Sequence, residues 1–234
     1  MTKPVCLITG VGDGTGAALA RRFAAGGYRV AMLARNRERL EKLEDEIDDS
    51  RAFTCDIGNL DTLAAVIGRV QSEMGDPEVL VHNAVSATFS TYLDAGVDEL
   101  ERNFRVNTSS LYFLARELTP AMTDAGHGAI LVTGNTAALR GIPTYAAFAP
   151  SKAAQRILAQ SLARHLGPKG VHVAYITIDA AIDTPWTRDV FNADKPDEFF
   201  SKPADIASEV FHIAHQPRST WSFDSEIRPF GEKW

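Results

Sequence analysis

The sequence predicts one doubly wound α/β domain built on a parallel sheet, and three observations carry that prediction. Short apolar, β-branched runs alternate with longer stretches of helical pattern along the 234 residues, the signature of repeated strand–helix–strand units. The strand-like runs are continuously apolar rather than alternating, so both sheet faces are expected to lie under helices. The first run opens into a glycine cluster, ITGVGDGTGAALA, where the chain turns from strand to helix. The length suits one large domain and is short for two, so residues 1–234 are read as a single Rossmann-type unit.

The elements follow in order. Val5 to Thr9 is the first strand, and the helix from Gly14 to Ala25 starts in the glycine cluster. Arg29 to Ala34 and Arg51 to Cys55 are the second and third strands, separated by a helix from Arg37 to Ile47. A helix from Leu60 to Met74 leads to a fourth strand at Val79 to His82, and a long helix from Asp98 to Thr123 leads to a fifth at Ala129 to Thr133. Phe148 to Leu166 is helical, Val171 to Ile178 is the sixth strand, Pro203 to Ala214 is the last helix, and Ser222 to Arg228 is the seventh strand. Right-handed crossovers give the strand order 3-2-1-4-5-6-7, with a switch point between strands one and four where ligands bind at the carboxyl ends. No repeat, low-complexity tract or linker is visible. The stretch 181–202, with two prolines, two acidic clusters and Trp186, is expected to be a mobile substrate lid.

Bulk properties narrow the function. Hydrophobic residues make up 45% and charged residues 23%, an ordinary globular balance. Thirty acidic against 24 basic residues give a formal charge of -6, a field that repels phosphate backbones and argues against nucleic acid as the partner. Cys6 and Cys55 sit in apolar strand-like runs and read as buried free thiols. The start, MTKPVCLITG, has too short an apolar run for a signal peptide, and no 18-residue apolar stretch occurs. No membrane partner and a cytoplasmic location are therefore expected.

The glycine turn lets backbone N–H groups approach a pyrophosphate at a helix N-terminus. Its register is open: Gly12-x-Gly14-x-x-Ala17 fits the common dinucleotide fingerprint, and Gly10-x-x-x-Gly14-x-Gly16 a wider variant. The end of the second strand selects the dinucleotide. NAD sites place a carboxylate there for the adenosine ribose, but no acidic residue occurs from Tyr28 through Arg37. Arg35 and Arg37 stand where a 2′-phosphate would sit, which favours NADP(H); the alternative is a solvated basic start to a surface helix. Asp56 in TCDIG would accept from the adenine amino group or serve as the N-terminal acid of the next helix.

The wider glycine pattern TGVGDGTG, Asp56-Ile57, HNA at 82–84, Asn107 in RVNTSS and SKAA at 151–154 together resemble the short-chain dehydrogenase/reductase family. The resemblance runs from Val5 to about Pro185. It implies a single-domain Rossmann fold, a nicotinamide cofactor, often a homotetramer, and hydride transfer between the cofactor and an alcohol or carbonyl. The cofactor set it implies here is Gly10, Gly12, Asp13, Gly14, Thr15, Gly16, Arg35, Asp56, Ile57, Asn83, Ala84, Lys152 and Thr184. The family's catalytic group is a serine, a tyrosine, a lysine and a helix-borne asparagine, with the tyrosine four residues before the lysine and about thirteen after the serine. The lysine is Lys152 and the asparagine Asn107, but Phe148 fills the tyrosine position and Asn135 the serine position. The family's Asn-Ala-Gly after strand four reads Asn83-Ala84-Val85, its Pro-Gly after strand six reads Asp179-Ala180, and its Gly-rich C-terminal segment is replaced by SEIRPFGEKW. The resemblance is therefore to a divergent member of that family.

Each change has a physical cost. Phe148 has no proton to give, and general acid–base catalysis typically supplies ~10²–10⁴ in rate. Asn135 keeps a donor and an acceptor, enough to polarise a carbonyl oxygen, or is simply a turn residue after strand five. Lys152 would hold ribose hydroxyls. Tyr145 is a candidate surrogate acid or else a packed aromatic on the pocket wall; Lys152 itself and Asp179 are weaker candidates. His82, His165 and His172 are expected in the core or on the surface. Three functions fit: an NADP(H)-dependent oxidoreductase with a non-standard donor set, a cofactor-binding sensor or partner subunit without turnover, and a lyase or isomerase using Asn135, Asp179 and Lys152. The first is preferred because Lys152 and Asn107 both persist. Phe89, Tyr92, Tyr145, Phe148 and Trp186 suggest an aromatic-lined pocket for a small carbonyl or alcohol. Apolar residues on the 148–166 helix (Ala153, Ala154, Ile157, Leu158, Leu162, Ala163, Leu166) and on the 98–123 helix (Phe104, Leu111, Phe113, Leu114, Leu118) are expected to pair across a two-fold axis, giving a homodimer or homotetramer.

Overall fold

The protein is described here by a computed structural model covering residues 3–191 and 194–231. Seven parallel strands form the sheet: β1 (Val5–Thr9), β2 (Arg29–Ala34), β3 (Ser50–Thr54), β4 (Pro77–His82), β5 (Gly128–Asn135), β6 (Val171–Ile178) and β9 (Asp224–Ile227). A short parallel pair, β7 (Ala181–Ile182) with β8 (Phe200–Ser201), lies outside it. Helices α1 (Thr15–Ala25), α2 (Arg37–Glu46), α3 (Leu60–Met74), α4 (Val97–Phe104), α5 (Ser110–Ala125), α6 (Ala149–Leu166), α7 (Pro185–Phe191) and α8 (Pro203–Ala214) fall between strands. The order across the sheet is β3-β2-β1-β4-β5-β6-β9, as the crossover rule requires.

The continuous apolar strands are explained by what covers them. Every residue of β1 and β6 is buried. Successive side chains go to opposite faces: Leu7 and Leu80 join a core with α3, α5 and α6, while Ile8 and Val81 join a second core with α1, α2 and α8. Cys6 and Cys55 are free and buried, one in each core. Burial pushes both thiols up, Cys55 to about 11. His82 and His172 are buried and His165 is exposed. Among the described residues no helix is long and apolar enough to cross a membrane.

Three expectations need correction. The helix expected at 98–123 is α4 and α5 joined by a π turn at Arg105–Ser109. A π turn leaves backbone carbonyls poorly matched along the helix, and there a side chain from α6 takes one of them. Strand β5 runs on to Asn135, which is its last residue and not a turn residue beyond it. Finally, Leu111, Leu114 and Leu118 are at most 1% exposed and Leu166 is 3% exposed. They belong to the core and not to an outward face, whereas Tyr112 and Ile157 remain exposed on α5 and α6.

Candidate functional site

A cleft of about 1200 Å³ opens at the carboxyl ends of β1, β2 and β4. That exceeds the ~300–1,000 Å³ of most small-ligand pockets and suits a dinucleotide. Its floor is the glycine turn. Gly10 has φ +72, and a Cβ there would lie 2.5 Å from Ala84 Cα at the end of β4. A Cβ at Gly16 would lie 2.4 Å from the Gly10 carbonyl oxygen, and one at Gly14 would lie 2.7 Å from Thr184 Cγ2. Gly12 has open space around it. Backbone contacts therefore require glycine at 10 and 16 while Gly12 is unconstrained, which resolves the register in favour of the wider pattern. Gly14 caps α1 without a side-chain hydrogen bond, and the Ala17 N–H is taken by the Gly12 carbonyl at 2.9 Å, which leaves the Thr15 and Gly16 amides at the helix start for an anion. Thr15 is buried as the first residue of α1. The residues present fit a bound dinucleotide.

At the far end the cleft is lined by Arg35, Asn36 and Arg39, and its side wall by Asp56, Ile57, Asn83, Ala84 and Val85. The Asn36 side chain accepts from the Arg39 N–H at 2.9 Å and starts α2. This phase turns Arg37 outward: its side chain is 77% exposed and paired with Glu41 at 2.6 Å. Arg37 does not line the cleft, contrary to the expectation; Arg39 does, and is ion-paired with Asp13 at 2.8 Å. Asp56 accepts from the Gly58 N–H at 3.0 Å, as a turn-forming acid does, while also lining the cleft. Asn83 ties three strand ends together. It donates to the Gly10 carbonyl at 3.0 Å and accepts from the Thr133 hydroxyl at 3.1 Å, and its N–H meets the Thr9 hydroxyl at 3.2 Å.

Behind this wall lies a buried polar seam. Asn107, in the π turn, is fully buried; its side chain accepts from the Ser86 N–H at 2.9 Å and donates to the Ser86 carbonyl and the Ser151 hydroxyl, both at 2.8 Å. Lys152 is 2% exposed. Its Nζ donates to the Thr133 carbonyl at 3.3 Å and, in a short contact, to Gln155 Oε1. Gln155 Nε2 in turn donates to the Asn107 carbonyl, within the π turn, at 2.6 Å. Burial pushes the Lys152 amine down to about 7. His82 shares the seam, with Nδ1 3.2 Å from the Thr9 hydroxyl. Burial first, then the Lys152 charge, pushes it down to about 3. Sequence reasoning missed Gln155; the available signal was an amide on the α6 face that also carries Lys152 and Ala159.

The rings of Phe148 and Tyr145 form an aromatic cluster, while the Phe148 carbonyl joins the seam by accepting from the Ser151 hydroxyl at 2.7 Å. Phe148 is 2% exposed, and its ring meets Phe89 at 5.7 Å and Tyr145 at 5.8 Å. The Asn135 Oδ1 is buried and has no hydrogen-bond partner among the described residues. The segment 181–202, of which 192 and 193 fall outside the described residues, reaches the cleft at Ile182 and comes close to Gly14 through Thr184. Arg188 ties it together, bonding Asp183 at 2.6 Å and Asp197 at 2.8 Å with its guanidinium 4.5 Å over the Phe200 ring. The Thr184 hydroxyl lies 2.8 Å from that of Thr187. The Asp179 N–H donates to the Ile227 carbonyl at 2.9 Å, which fixes that residue to β9.

A family model described as short chain dehydrogenase matches residues 4–195. Versicolorin reductase stcU of Emericella nidulans is 33% identical over 174 residues, covering 72% of this chain and 66% of that protein, just under two thirds of its length. A metagenomic short-chain oxidoreductase crystallised in complex with NADP superposes with a TM-score of 0.85 at 28% identity, covering 98% of each chain. A 3-ketoacyl-(acyl-carrier-protein) reductase from Brucella melitensis, complexed with NADH, gives a TM-score of 0.84 at 26% identity, again over 98% of both chains.

Proposed function

Because this chain belongs to the short-chain dehydrogenase family, we infer that it is an NADP(H)-dependent oxidoreductase for a small carbonyl or alcohol with an altered donor set. When bound, the nicotinamide supplies or takes up a hydride. The observation that carries the cofactor assignment is the basic end of the cleft, where Arg35 and Arg39 line the wall and no acid occurs from Tyr28 through Arg37. Guanidinium groups suit phosphate oxygens. The glycine turn would take the pyrophosphate, and Asp56 with Ile57 the adenine. Asn83, Ala84 and Thr184 would flank the nicotinamide half. Asn135 would polarise the substrate oxygen with its amide, Asn107 would act as a positioning residue, and the 181–202 segment would cover the substrate. Phe89, Leu139 and Trp186, each more than half exposed, would offer apolar contacts to that substrate.

The test is cofactor titration. NADPH is expected to bind more tightly than NADH, and Arg35→Ala should weaken NADPH by roughly 10-fold or more, since a charge-assisted pair contributes ~1.5–3 kcal/mol. NADH affinity should change little, and equal affinities of the unmodified protein for the two cofactors would sink the assignment. A second reading, a cofactor-binding protein without turnover, is favoured by one observation: Lys152, the family's only titrating catalytic group left here, is sealed against Gln155.

The assembly is expected to be at least a dimer. Tyr112 on α5 and Ile157 on α6 leave 54% and 56% of their surfaces uncovered, flanked by half-buried Phe113, Leu158 and Leu162. Pairing α5 and α6 about a two-fold axis would bury these side chains. Light scattering of the 25.4 kDa chain should report a dimer or tetramer at micromolar concentration; a monomer would refute this pairing.

A further inference from the structure

We propose that Asp13 is a built-in counter-ion for the 2′-phosphate end of the cleft, holding Arg39 until a phosphate displaces it, and so sets how strongly the protein discriminates NADP(H) from NAD(H). The inference rests on the NADP(H) reading above and deepens it. Asp13 sits between Gly12 and Gly14, both of which line the cleft, and Arg39 lines it from α2. The 2.8 Å contact from Arg39 Nε to Asp13 Oδ1 therefore bridges the glycine turn and α2 across the rim. Arg37 is committed to Glu41 on the outside. Arg35 and Arg39 are thus the two guanidinium groups that line this end, and one of them is engaged.

Charge decides the exchange. The side chains are 39% and 67% exposed, so the pair is weak and salt-screened. A phosphate monoester carries nearly two negative charges and three acceptor oxygens, which makes it the better partner for a guanidinium fork. After the exchange, the Asp13 carboxylate stays beside the dianion and repels it. Asp13 thus opposes the 2′-phosphate twice, first as competitor and then as neighbour. A ligand with a 2′-hydroxyl has no charge to exchange and leaves the pair intact.

The probes are 2′,5′-ADP and 5′-AMP, which differ at the 2′-phosphate and do not reach the altered nicotinamide end; binding is read by calorimetry. Asp13→Asn is expected to tighten 2′,5′-ADP by about 3- to 10-fold, from loss of a surface pair plus a like-charge neighbour, and to change 5′-AMP by less than about 2-fold. Arg39→Ala should weaken 2′,5′-ADP by about 10-fold. In the Arg39→Ala background the gain from Asp13→Asn should shrink, because the competition has been removed. The inference is overturned if Asp13→Asn leaves a clear 2′,5′-ADP preference unchanged, if its effect is equal with and without Arg39, or if it weakens 5′-AMP, which would make Asp13 a ribose acceptor. No preference for 2′,5′-ADP in either the unmodified protein or Asp13→Asn would instead overturn the NADP(H) reading itself.

Discussion

Phe148→Tyr combined with Asn135→Ser is expected to raise NADPH-dependent carbonyl reduction by at least ~10-fold, the low end of what a general acid supplies. The ring change adds one hydroxyl to a side chain of the same shape, so overpacking should be small, and the cluster with Phe89 and Tyr145 already accommodates that ring. Asn135→Ser removes a buried amide oxygen that has no partner among the described residues and supplies a hydroxyl at the end of β5. The obstacle is Lys152. A phenol at 148 is a better acid–base when an ammonium lies close, yet the Lys152 Nζ is bound inward to Gln155 and the Thr133 carbonyl. Adding Gln155→Ala should therefore raise the gain of the double variant further, at some cost in stability from the lost bond to the Asn107 carbonyl. Tyr145→Phe in the unmodified protein is expected to change any activity by less than about 2-fold if the ring is only a wall. Loss of activity would make Tyr145 the surrogate acid. No gain in the double variant, with cofactor binding intact, would turn the assignment toward the sensor or the lyase.

What could be read from the sequence was what repeats or what sterics demand. The strand order followed from parallel apolar runs such as Val171–Ile178, which need cover on both faces. The glycine turn was visible, but two registers fitted the spacing; only the contacts of Gly10 with Ala84 and of Gly16 with Gly10 select one, because they join residues far apart in sequence or across a turn. Arg37 was misassigned for a local reason. Its ion pair with Glu41 is an i,i+4 contact that the sequence contains, and a helix capped at Asn36 turns Arg39 back toward the cleft. The π turn was hidden because the periodicity of 98–123 does not record one extra residue per turn. Gln155 lay in a helix that reads as apolar on several faces, so which face met the sheet, and that an amide on it reached Lys152, depended on tertiary packing.

Folding stability is expected to rise with pH from about 7 upward through Lys152, and Lys152→Met should remove that rise. Burial holds the folded-state amine at about 7, whereas an unfolded lysine titrates near ~10.4. Below 7 both states carry the proton and the cost of the buried charge is fully present. Between 7 and ~10.4 the unfolded chain holds a proton that the native protein lacks, so stability climbs by up to ~1.4 kcal/mol per pH unit. Other groups act in the opposite sense at the alkaline end. Cys6, Cys55, Tyr28 and Tyr175 all have raised folded values from burial, and each loses stability once its unfolded form ionises above ~8.5–10. The curve of the unmodified protein alone therefore bends over, and the readout is its difference from Lys152→Met in denaturant unfolding at each pH. The variant also leaves the Thr133 carbonyl and Gln155 without a donor, a penalty that does not vary with pH and drops out of the slope. Parallel curves from pH 7 to 10 would mean that Lys152 keeps an ordinary ammonium, paired or hydrated. A sloping difference carries a consequence for Phe148→Tyr. Once Gln155→Ala releases it, the amine is a cation that can support the new phenol only below about pH 7, and the phenol's contribution to carbonyl reduction should be greatest on that side.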